Sequence, residues 1–268
     1  MNIGFIQFSP VLGDPDASIE KIKRLINQCE GADLVVLPEL SNSGYNFESK
    51  EQAWELSEEI PKGKFCDFIQ TEARERGIHI VAGVNERDGE RLYNTAILTG
   101  PEGIIGKYRK THLFWDEPDI FLPGDLGLPV FDIGECRLGI LICFDWIFPE
   151  VWRVLALKGA DLVCHPSNLV IPGLCQKAIP VHALTNRIYI ITANRIGTEG
   201  NLTFTGLSTI ADPKGKVLIQ ASSSEEEVGV VDMNISLARD KMITPRNHAF
   251  NDRRPELYSL LTENDPDE

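Results

Sequence analysis

The strongest constraint on the fold is an internal repeat. The segment Gly31-Ala32-Asp33-Leu34-Val35 recurs as Gly159-Ala160-Asp161-Leu162-Val163. In both copies a basic amphipathic helix is predicted before the segment, and a proline, Pro38 or Pro166, follows it. A single match of this kind can arise by chance, because the phrase is common where a helix leads into a strand. Further matches in the same order therefore decide whether the repeat is real.

Two more segments repeat in that order. Val81-Ala82-Gly83-Val84-Asn85 is similar to Ile191-Thr192-Ala193-Asn194, and the predicted hairpin at residues 95–103 is similar to residues 208–215. Three ordered matches indicate two related halves. Since each half supplies helices, buried strands and a hairpin, we expect an α/β fold of the four-layer αββα sandwich type, with two sheets face to face and helices outside.

Apolar periodicity predicts the individual elements. Helices are expected at residues 16–30 and 64–76, the second ending at Gly77, and strands at residues 33–37, 79–84 and 92–99. Residues 138–142 and 188–191 are too apolar for a strand with one wet face, so we expect them between layers. No linker or low-complexity segment interrupts the 268 residues, which predicts a single domain over 1–268.

Charge and cysteine usage limit the classes of partner. The formal net charge of -14 repels phosphate backbones and anionic lipids, so neither nucleic acid nor a membrane is an expected partner. The first eight residues read as a strand and show no export signal, which favours a cytoplasmic location. The six cysteines form no CxxC pair, and we expect most of them to be reduced, buried and inert.

Two polar residues follow predicted buried strands. Glu39 comes directly after Leu34-Val35-Val36-Leu37-Pro38, and Cys143 comes after Leu138-Gly139-Ile140-Leu141-Ile142. A carboxylate at such a position needs a partner, because its desolvation is costly. A cysteine there needs none and is more often a core residue.

A cluster of cations elsewhere in the sequence favours a functional role for Glu39 and Cys143. The segment Gly106-Lys107-Tyr108-Arg109-Lys110-Thr111-His112-Leu113 carries three basic residues before a loop that starts Phe114-Trp115-Asp116-Glu117. For Lys107 and Arg109 we expect a solvated sheet edge.

Three motifs together resemble a known family. Leu37-Pro38-Glu39-Leu40, Tyr108-Arg109-Lys110-Thr111-His112-Leu113 and Ile142-Cys143-Phe144-Asp145 are similar, in order and spacing, to the three signatures of the nitrilase superfamily of amidases, nitrilases and carbamoylases. The similarity extends over most of the chain. It also implies the αββα fold that the repeat predicts.

The resemblance implies a role for each motif residue. Glu39 corresponds to the general base, Lys110 to the oxyanion stabiliser and Cys143 to the nucleophile, while Glu117 matches the second glutamate of the family. The chemistry of these residue types supports the same roles independently of the resemblance. A carboxylate can take the proton of an attacking thiol, and a fixed lysine with the backbone N–H of Phe144 can stabilise an oxyanion. No metal or other cofactor is required.

The residue pattern after the nucleophile favours amide hydrolysis. Nitrilases of the superfamily typically carry Trp-Glu there, whereas this chain has Phe144-Asp145. The segments Cys143 to Glu150 and His165 to Val170 also resemble thermostable archaeal-type members that act on small aliphatic nitriles. The expected substrate is thus a small amide, with a nitrile as the second candidate and an N-carbamoyl or omega-amide compound as a further one.

Five more residues are candidates for substrate contacts, because the resemblance places their segments near the pocket mouth: Tyr45, Trp115, Phe144, Trp146 and Asn168. For each of them a purely structural role is equally consistent with the sequence. A carboxylate-bearing substrate would need a cation, for which Arg187 and Arg195 are possibilities.

Other classes of protein fit less well. The chain lacks the G-x-S-x-G motif of serine hydrolases, and its five histidines are too widely spaced for a metal site. A papain-like cysteine–histidine pair and a catalytically silent scaffold of the same fold remain open. The tail from about residue 240 is expected to pack on a partner subunit, since members of this family commonly form homodimers or larger assemblies.

Overall fold

The computed structural model describes residues 1–263. Its helices are α1 (Pro15–Ile26), α2 (Lys50–Glu55), α3 (Lys64–Arg76), α4 (Pro149–Leu157), α5 (Leu174–Asn186) and α6 (Ile235–Arg239). Its strands are β1 (Asn2–Gln7), β2 (Leu34–Val36), β3 (His79–Asp88), β4 (Arg91–Gly100), β5 (Gly103–Arg109), β6 (Val130–Asp132), β7 (Arg137–Ile140), β8 (Leu162–Ser167), β9 (Tyr189–Asn194), β10 (Thr198–Glu199), β11 (Leu202–Thr203), β12 (Thr209–Ala211), β13 (Val217–Gln220), β14 (Glu227–Asp232), β15 (Met242–Thr244) and β16 (Asn247–His248).

Two six-stranded sheets have matching topologies. The first has the order β14-β1-β2-β3-β4-β5 and the second the order β6-β7-β8-β9-β12-β13. In the first sheet β1, β2 and β3 are parallel and β4 and β5 follow as antiparallel strands. In the second sheet β7, β8 and β9 are parallel and β12 and β13 are antiparallel. The predicted repeat is therefore confirmed as a repeat of topology, and the αββα sandwich is confirmed with it.

One strand crosses between the halves. β14 follows the second half in sequence but pairs antiparallel with β1, with Asn2 opposite Asp232 and Gln7 opposite Glu227. The first sheet thus takes its outer strand from the far end of the chain. β6 occupies the equivalent position beside β7 in the second sheet.

Strand alternation divides the apolar residues between two layers of core. In β2, Leu34 and Val36 join the cluster that also holds Leu138 and Ile140 of the second sheet, so these side chains lie between the sheets. Val35 faces the other way and packs with residues of α1 and α3. This period of two is the expected behaviour of a strand covered on both faces.

Local signals explain where the helices begin and end. The Asp14 side chain accepts a hydrogen bond from Ala17 N at 2.9 Å, with Pro15 at the first helical position of α1. α3 ends at Gly77 in the left-handed region with φ of 68°. The prediction for α3 is correct to the residue, whereas α1 stops four residues before the predicted end at residue 30.

The segment after residue 240 folds back on its own chain. The Lys241 ammonium donates to Arg187 O at 2.7 Å, and Arg153 lies over the Phe250 ring at 5.3 Å. The part of the predicted partner-binding tail at residues 264–268 lies outside the described residues. Among the helices of residues 1–263, none has the length and apolar character needed to cross a bilayer.

Candidate active site

Glu39 lies in a loop that one glycine holds against β3. Leu37 N donates to Val81 O at 2.8 Å, and Ser41 N donates to Gly83 O at 3.0 Å, so the backbone runs beside β3 on both sides of Glu39. A Cβ atom on Gly83 would lie 2.4 Å from Leu40 N and 2.5 Å from Glu39 Cα. Only glycine permits this approach. As a result the Glu39 carboxylate is fully buried at the end of the sheet.

Lys110 follows the last residue of β5 and meets two carboxylates. Its Nζ lies 2.8 Å from Glu39 Oε1 and 2.6 Å from Glu117 Oε1. Asn94 Nδ2 donates a further hydrogen bond of 2.7 Å to Glu39 Oε1. All of these groups are buried, and their contacts satisfy the requirement that a buried charge be paired. The structure therefore brings Glu39, Lys110 and Glu117 together.

Burial and mutual attraction set the charge states of this cluster. Burial alone would lower the pKa of Lys110, but the charges of Glu117 and Glu39 outweigh it and raise that pKa well above its usual value. Lys110 is therefore an ammonium at neutral pH. Burial and the neighbouring Glu39 charge raise the pKa of Glu117, although the Lys110 ammonium opposes them.

Cys143 sits at a sharp turn between β7 and a short 3-10 helix, Cys143–Ile147. Its φ of 44° lies in the left-handed region, which side-chain-bearing residues rarely adopt. Strain of this kind persists where the surroundings enforce it. The N–H of Phe144 lies in the first turn of this helix, where N–H groups lack an intrahelical acceptor.

The thiol of Cys143 lies within the field of the charged cluster. Burial raises its pKa well above the usual value, Glu39 and Glu117 raise it further, and the Lys110 ammonium opposes them. The resting group is therefore a thiol, and a nucleophilic attack requires a base in the same step. Glu39 Oε2 is buried without a hydrogen-bond partner among the described residues, which leaves one carboxylate oxygen available as that base.

Asp145 connects the turn at Cys143 with the end of β5 that leads into Lys110. Its Oδ2 accepts hydrogen bonds from Ile142 N at 2.9 Å and from the Tyr108 hydroxyl at 2.8 Å. Its Oδ1 accepts from His112 N at 3.2 Å and contacts His112 Nδ1 at 2.7 Å. Asp145 is fully buried, so these bonds fix the nucleophile turn relative to β5. It does not line the cavity beside Cys143.

His165 is the histidine in contact with the backbone of Cys143. Its Nε2 lies 2.8 Å from Cys143 O, and its Nδ1 lies 3.1 Å from Thr192 Oγ1. Burial lowers its pKa to about 4, so the ring is neutral at neutral pH and donates a hydrogen bond to the carbonyl. The ring thus supports the turn from behind. A papain-like pair would require the His165 ring to face the Cys143 sulfur. Instead, the two ring nitrogens contact Cys143 O and Thr192 Oγ1.

The residues before Lys110 correct one expectation. Arg109 was expected on a solvated edge, but it is only 4% exposed and bonds Glu86, Asp88 and Asp125. The sequence prediction was wrong because three carboxylates from other parts of the chain surround this strand end. Lys107 remains partly exposed and pairs with Glu86. Together with the Gly124 N to Lys110 O bond of 2.8 Å, this network anchors the residues on both sides of Lys110.

A cavity of about 70 Å³ opens beside Cys143. Phe144, Trp146 and Asn168, three of the residues that the sequence offers as candidates for substrate contacts, line it. Both polar atoms of the Asn168 side chain are buried without a hydrogen-bond partner among the described residues. Such groups are costly unless something pairs with them, so Asn168 is well suited to contact a polar ligand atom.

The other two predicted contact residues lie in a neighbouring cavity of about 250 Å³. The Tyr45 hydroxyl donates to Glu117 Oε1 at 2.8 Å, which links this cavity to the charged cluster. Trp115 is 79% exposed and does not line the cavity beside Cys143. Within residues 1–263, His, Cys, Asp and Glu side chains form no group of three that could hold a metal ion.

Some contributors to this site were not predicted from the sequence. Asn94, Asp145 and His165 act through hydrogen bonds that follow no local periodicity, and two of them contact backbone atoms. Asp145 and His165 stood within segments that the resemblance singled out, but their roles were not visible there. The position of Asn94 in a buried strand was the available signal, because a buried amide must find partners.

The chain belongs to the carbon-nitrogen hydrolase family, whose sequence model matches residues 2–241. A protein of Pyrococcus abyssi called nitrilase is 49% identical over 260 residues, covering 96% of this chain and 99% of the relative. An amidase from Nesterenkonia sp. has a similar structure with a TM-score of 0.79 and 28% identity, covering 97% of this chain and 96% of that one. A carbon-nitrogen hydrolase from Helicobacter pylori G27 gives a TM-score of 0.87 at 25% identity, with 98% of each chain covered.

Proposed function

We propose that this carbon-nitrogen hydrolase converts a small, uncharged aliphatic amide into a carboxylic acid and ammonia. The observation that supports the proposal best is the buried cluster of Glu39, Lys110 and Glu117 around the Cys143 thiol. It combines a nucleophile, a free carboxylate oxygen and a fixed ammonium, which are the components required for acyl transfer.

The first half of the reaction forms a thioester. The Cys143 sulfur attacks the amide carbon while Glu39 takes the thiol proton. The Lys110 ammonium and the Phe144 N–H stabilise the oxyanion, an effect worth roughly 3 to 4 kcal/mol per donor. The C–N bond then breaks, the nitrogen receives the proton from Glu39, and ammonia leaves.

The second half releases the acid. A water molecule attacks the thioester carbon, and Glu39 takes one of its protons. The C–S bond breaks, the sulfur regains a proton from Glu39, and the carboxylic acid departs. Glu117 orients the Lys110 ammonium and positions the leaving nitrogen while Glu39 transfers the proton.

The cavity beside Cys143 supports an uncharged acyl group. Its described lining residues are apolar or neutral. The two arginines considered for a substrate carboxylate are engaged elsewhere. Arg195 pairs with Glu199 at 2.6 Å, and Arg187 donates to Pro213 O at 3.0 Å. This arrangement favours a simple amide over an omega-amide that carries a second carboxylate.

Nitrile hydrolysis is the second candidate, and the 49% identity to the Pyrococcus abyssi nitrilase favours it. The sequence feature that disfavours a nitrile is Phe144-Asp145 in place of Trp-Glu. The Asp145 carboxylate bonds scaffold groups and does not line the cavity. The residue type at position 145 therefore affects the geometry of the turn more than the choice of substrate.

A substrate panel tests the proposal. Purified protein is incubated with acetamide, propanamide, an omega-amide, an N-carbamoyl amine, propionitrile and butyronitrile, and ammonia is measured. We expect the simple amides to give the highest kcat/KM and Cys143→Ala to abolish the activity. A higher kcat/KM for nitriles would replace the first candidate by the second, and absence of ammonia from every compound would support a silent scaffold.

We also propose a single-domain protein, located in the cytoplasm, that assembles as a homodimer or larger oligomer through its tail. Leu257, Leu260 and Leu261 of the tail are more than 60% exposed, and a cavity of about 740 Å³ lies between the tail and α4. All six cysteines are unpaired, which fits a reducing compartment. Light scattering of the full chain and of a chain ending at residue 254 tests the assembly, which the shorter chain should lose.

A further inference from the structure

Two cavities meet at one wall beside the nucleophile. The inner cavity of about 70 Å³ contains Cys143 and Asn168, and the outer cavity of about 250 Å³ contains Tyr45 and Phe47. Phe114, Val170 and Ile171 line both cavities. These three side chains therefore separate a small space at the sulfur from a larger, mostly apolar space that Asp116 and Glu117 also line.

Phe114 is the largest member of this wall and is firmly held. Its ring centroid lies 5.1 Å from that of Phe144, which lines the inner cavity. Its backbone bonds Glu117 in both directions, with Phe114 N donating to Glu117 Oε2 at 3.0 Å and Glu117 N donating to Phe114 O at 3.0 Å. The backbone of Phe114 is thus tied to the charged cluster, and substitution of the Phe114 side chain leaves these two bonds in place.

The other two members of the wall are less restrictive. Ile171 is 44% exposed, and Val170 is half-buried and smaller than phenylalanine. Removing either leaves the aromatic ring in place. Phe114 is therefore the residue whose side chain keeps the two spaces apart.

We propose that Phe114 sets the acyl-chain length of the substrate by closing the inner cavity. This inference rests on the proposed amide hydrolysis and narrows its substrate class. The inner cavity, about 70 Å³ against about 250 Å³ for the outer one, accommodates only the end of a short acyl chain. A longer chain reaches the outer cavity only when the ring is removed.

The test compares short and long amides in two matched variants. Phe114→Ala joins the cavities, whereas Phe47→Ala enlarges only the outer one. For Phe114→Ala we expect the ratio of kcat/KM for hexanamide to that for propanamide to rise at least roughly tenfold over wild type, the scale at which apolar pockets discriminate between chain lengths. For Phe47→Ala the ratio should stay at its wild-type value. An unchanged ratio in a folded Phe114→Ala protein, or an equal rise in both variants, overturns the proposal.

A second measurement separates this inference from the proposed function. 2-Chlorobutanamide and 2-chlorohexanamide alkylate a thiol by forming a C–S bond with loss of chloride, and mass spectrometry gives the rate at Cys143 without any turnover. Phe114→Ala should accelerate the long reagent relative to the short one by at least roughly tenfold. If Phe114→Ala accelerates the long reagent in this way while no amide is hydrolysed, the proposed role of Phe114 stands and the proposed function fails. Equal acceleration of both reagents, or no labelling of Cys143 by either reagent, overturns the proposed role of Phe114.

Discussion

Glu117 makes short contacts with two groups of the proposed site, the Lys110 ammonium and the Tyr45 hydroxyl. We expect Glu117→Gln to fold but to lose at least about 100-fold in kcat, the scale of a mispositioned reacting group. Steady-state kinetics with propanamide measure the loss, and Asp116→Asn, an exposed carboxylate next in sequence, is the matched control. Wild-type turnover in Glu117→Gln would assign this carboxylate a structural role.

His165 predicts a specific dependence of stability on pH. Its folded-state pKa is lowered by burial to about 4, whereas an unfolded histidine titrates near 6.5. Because the unfolded chain binds the proton first, the contribution of His165 is fully present above about pH 6.5 and is lost as the pH falls toward 4. The loss amounts to up to about 3 kcal/mol.

Urea titrations at several pH values check this prediction. The free energy of unfolding of wild type should fall toward acid more steeply than that of His165→Gln, which keeps a donor for Cys143 O but has no titratable group. If the free energies of unfolding of wild type and His165→Gln fall equally as the pH decreases, the lowered pKa of His165 is contradicted.

At the scale of elements, the loop that carries Glu39 depends on the absence of a side chain in β3. We expect Gly83→Ala to displace this loop, to lower kcat and to destabilise the protein by about 1 to 3 kcal/mol, because backbone atoms stand in the way of the methyl group. Gly100→Ala is the control, since its nearest neighbours are the tips of the Ile105 and His79 side chains. A Gly83→Ala enzyme with normal kcat would show that the loop is not held in this way.

The sequence predicted the elements that carry strong local signals and missed those that do not. α3 has a clear apolar period and a glycine at its end, and its bounds were predicted correctly. The pairing of β14 with β1 was not foreseen, because a contact between Asn2 and Asp232 leaves no periodic trace. The same difference separates the residues of the candidate site that were predicted from those that were not. Glu39, Lys110 and Cys143 stand in recognisable motifs, whereas the bond from His165 to a main-chain carbonyl and the wall formed by Phe114 depend on tertiary contacts.

For the whole molecule, the two sheets should unfold together. The cluster between them joins Leu34 of the first sheet to Leu138 of the second, so each sheet buries one face against the other. We expect Leu34→Ala, which costs about 2 to 5 kcal/mol, to lower the hydrogen-exchange protection of β8 in the other sheet as much as that of β2. Exchange mass spectrometry measures both. Loss of protection confined to the first sheet would indicate two independent units.

The position of β14 bears on how the chain matures on the ribosome. Residues 227–232 complete the edge of a sheet whose other strands all lie within the first 109 residues. Until synthesis reaches that point, the amide and carbonyl groups along β1 face outward, an open edge onto which another nascent chain can add. The late arrival of β14 therefore keeps β1 at the sheet edge until translation has passed residue 232, after which β1 is an inner strand.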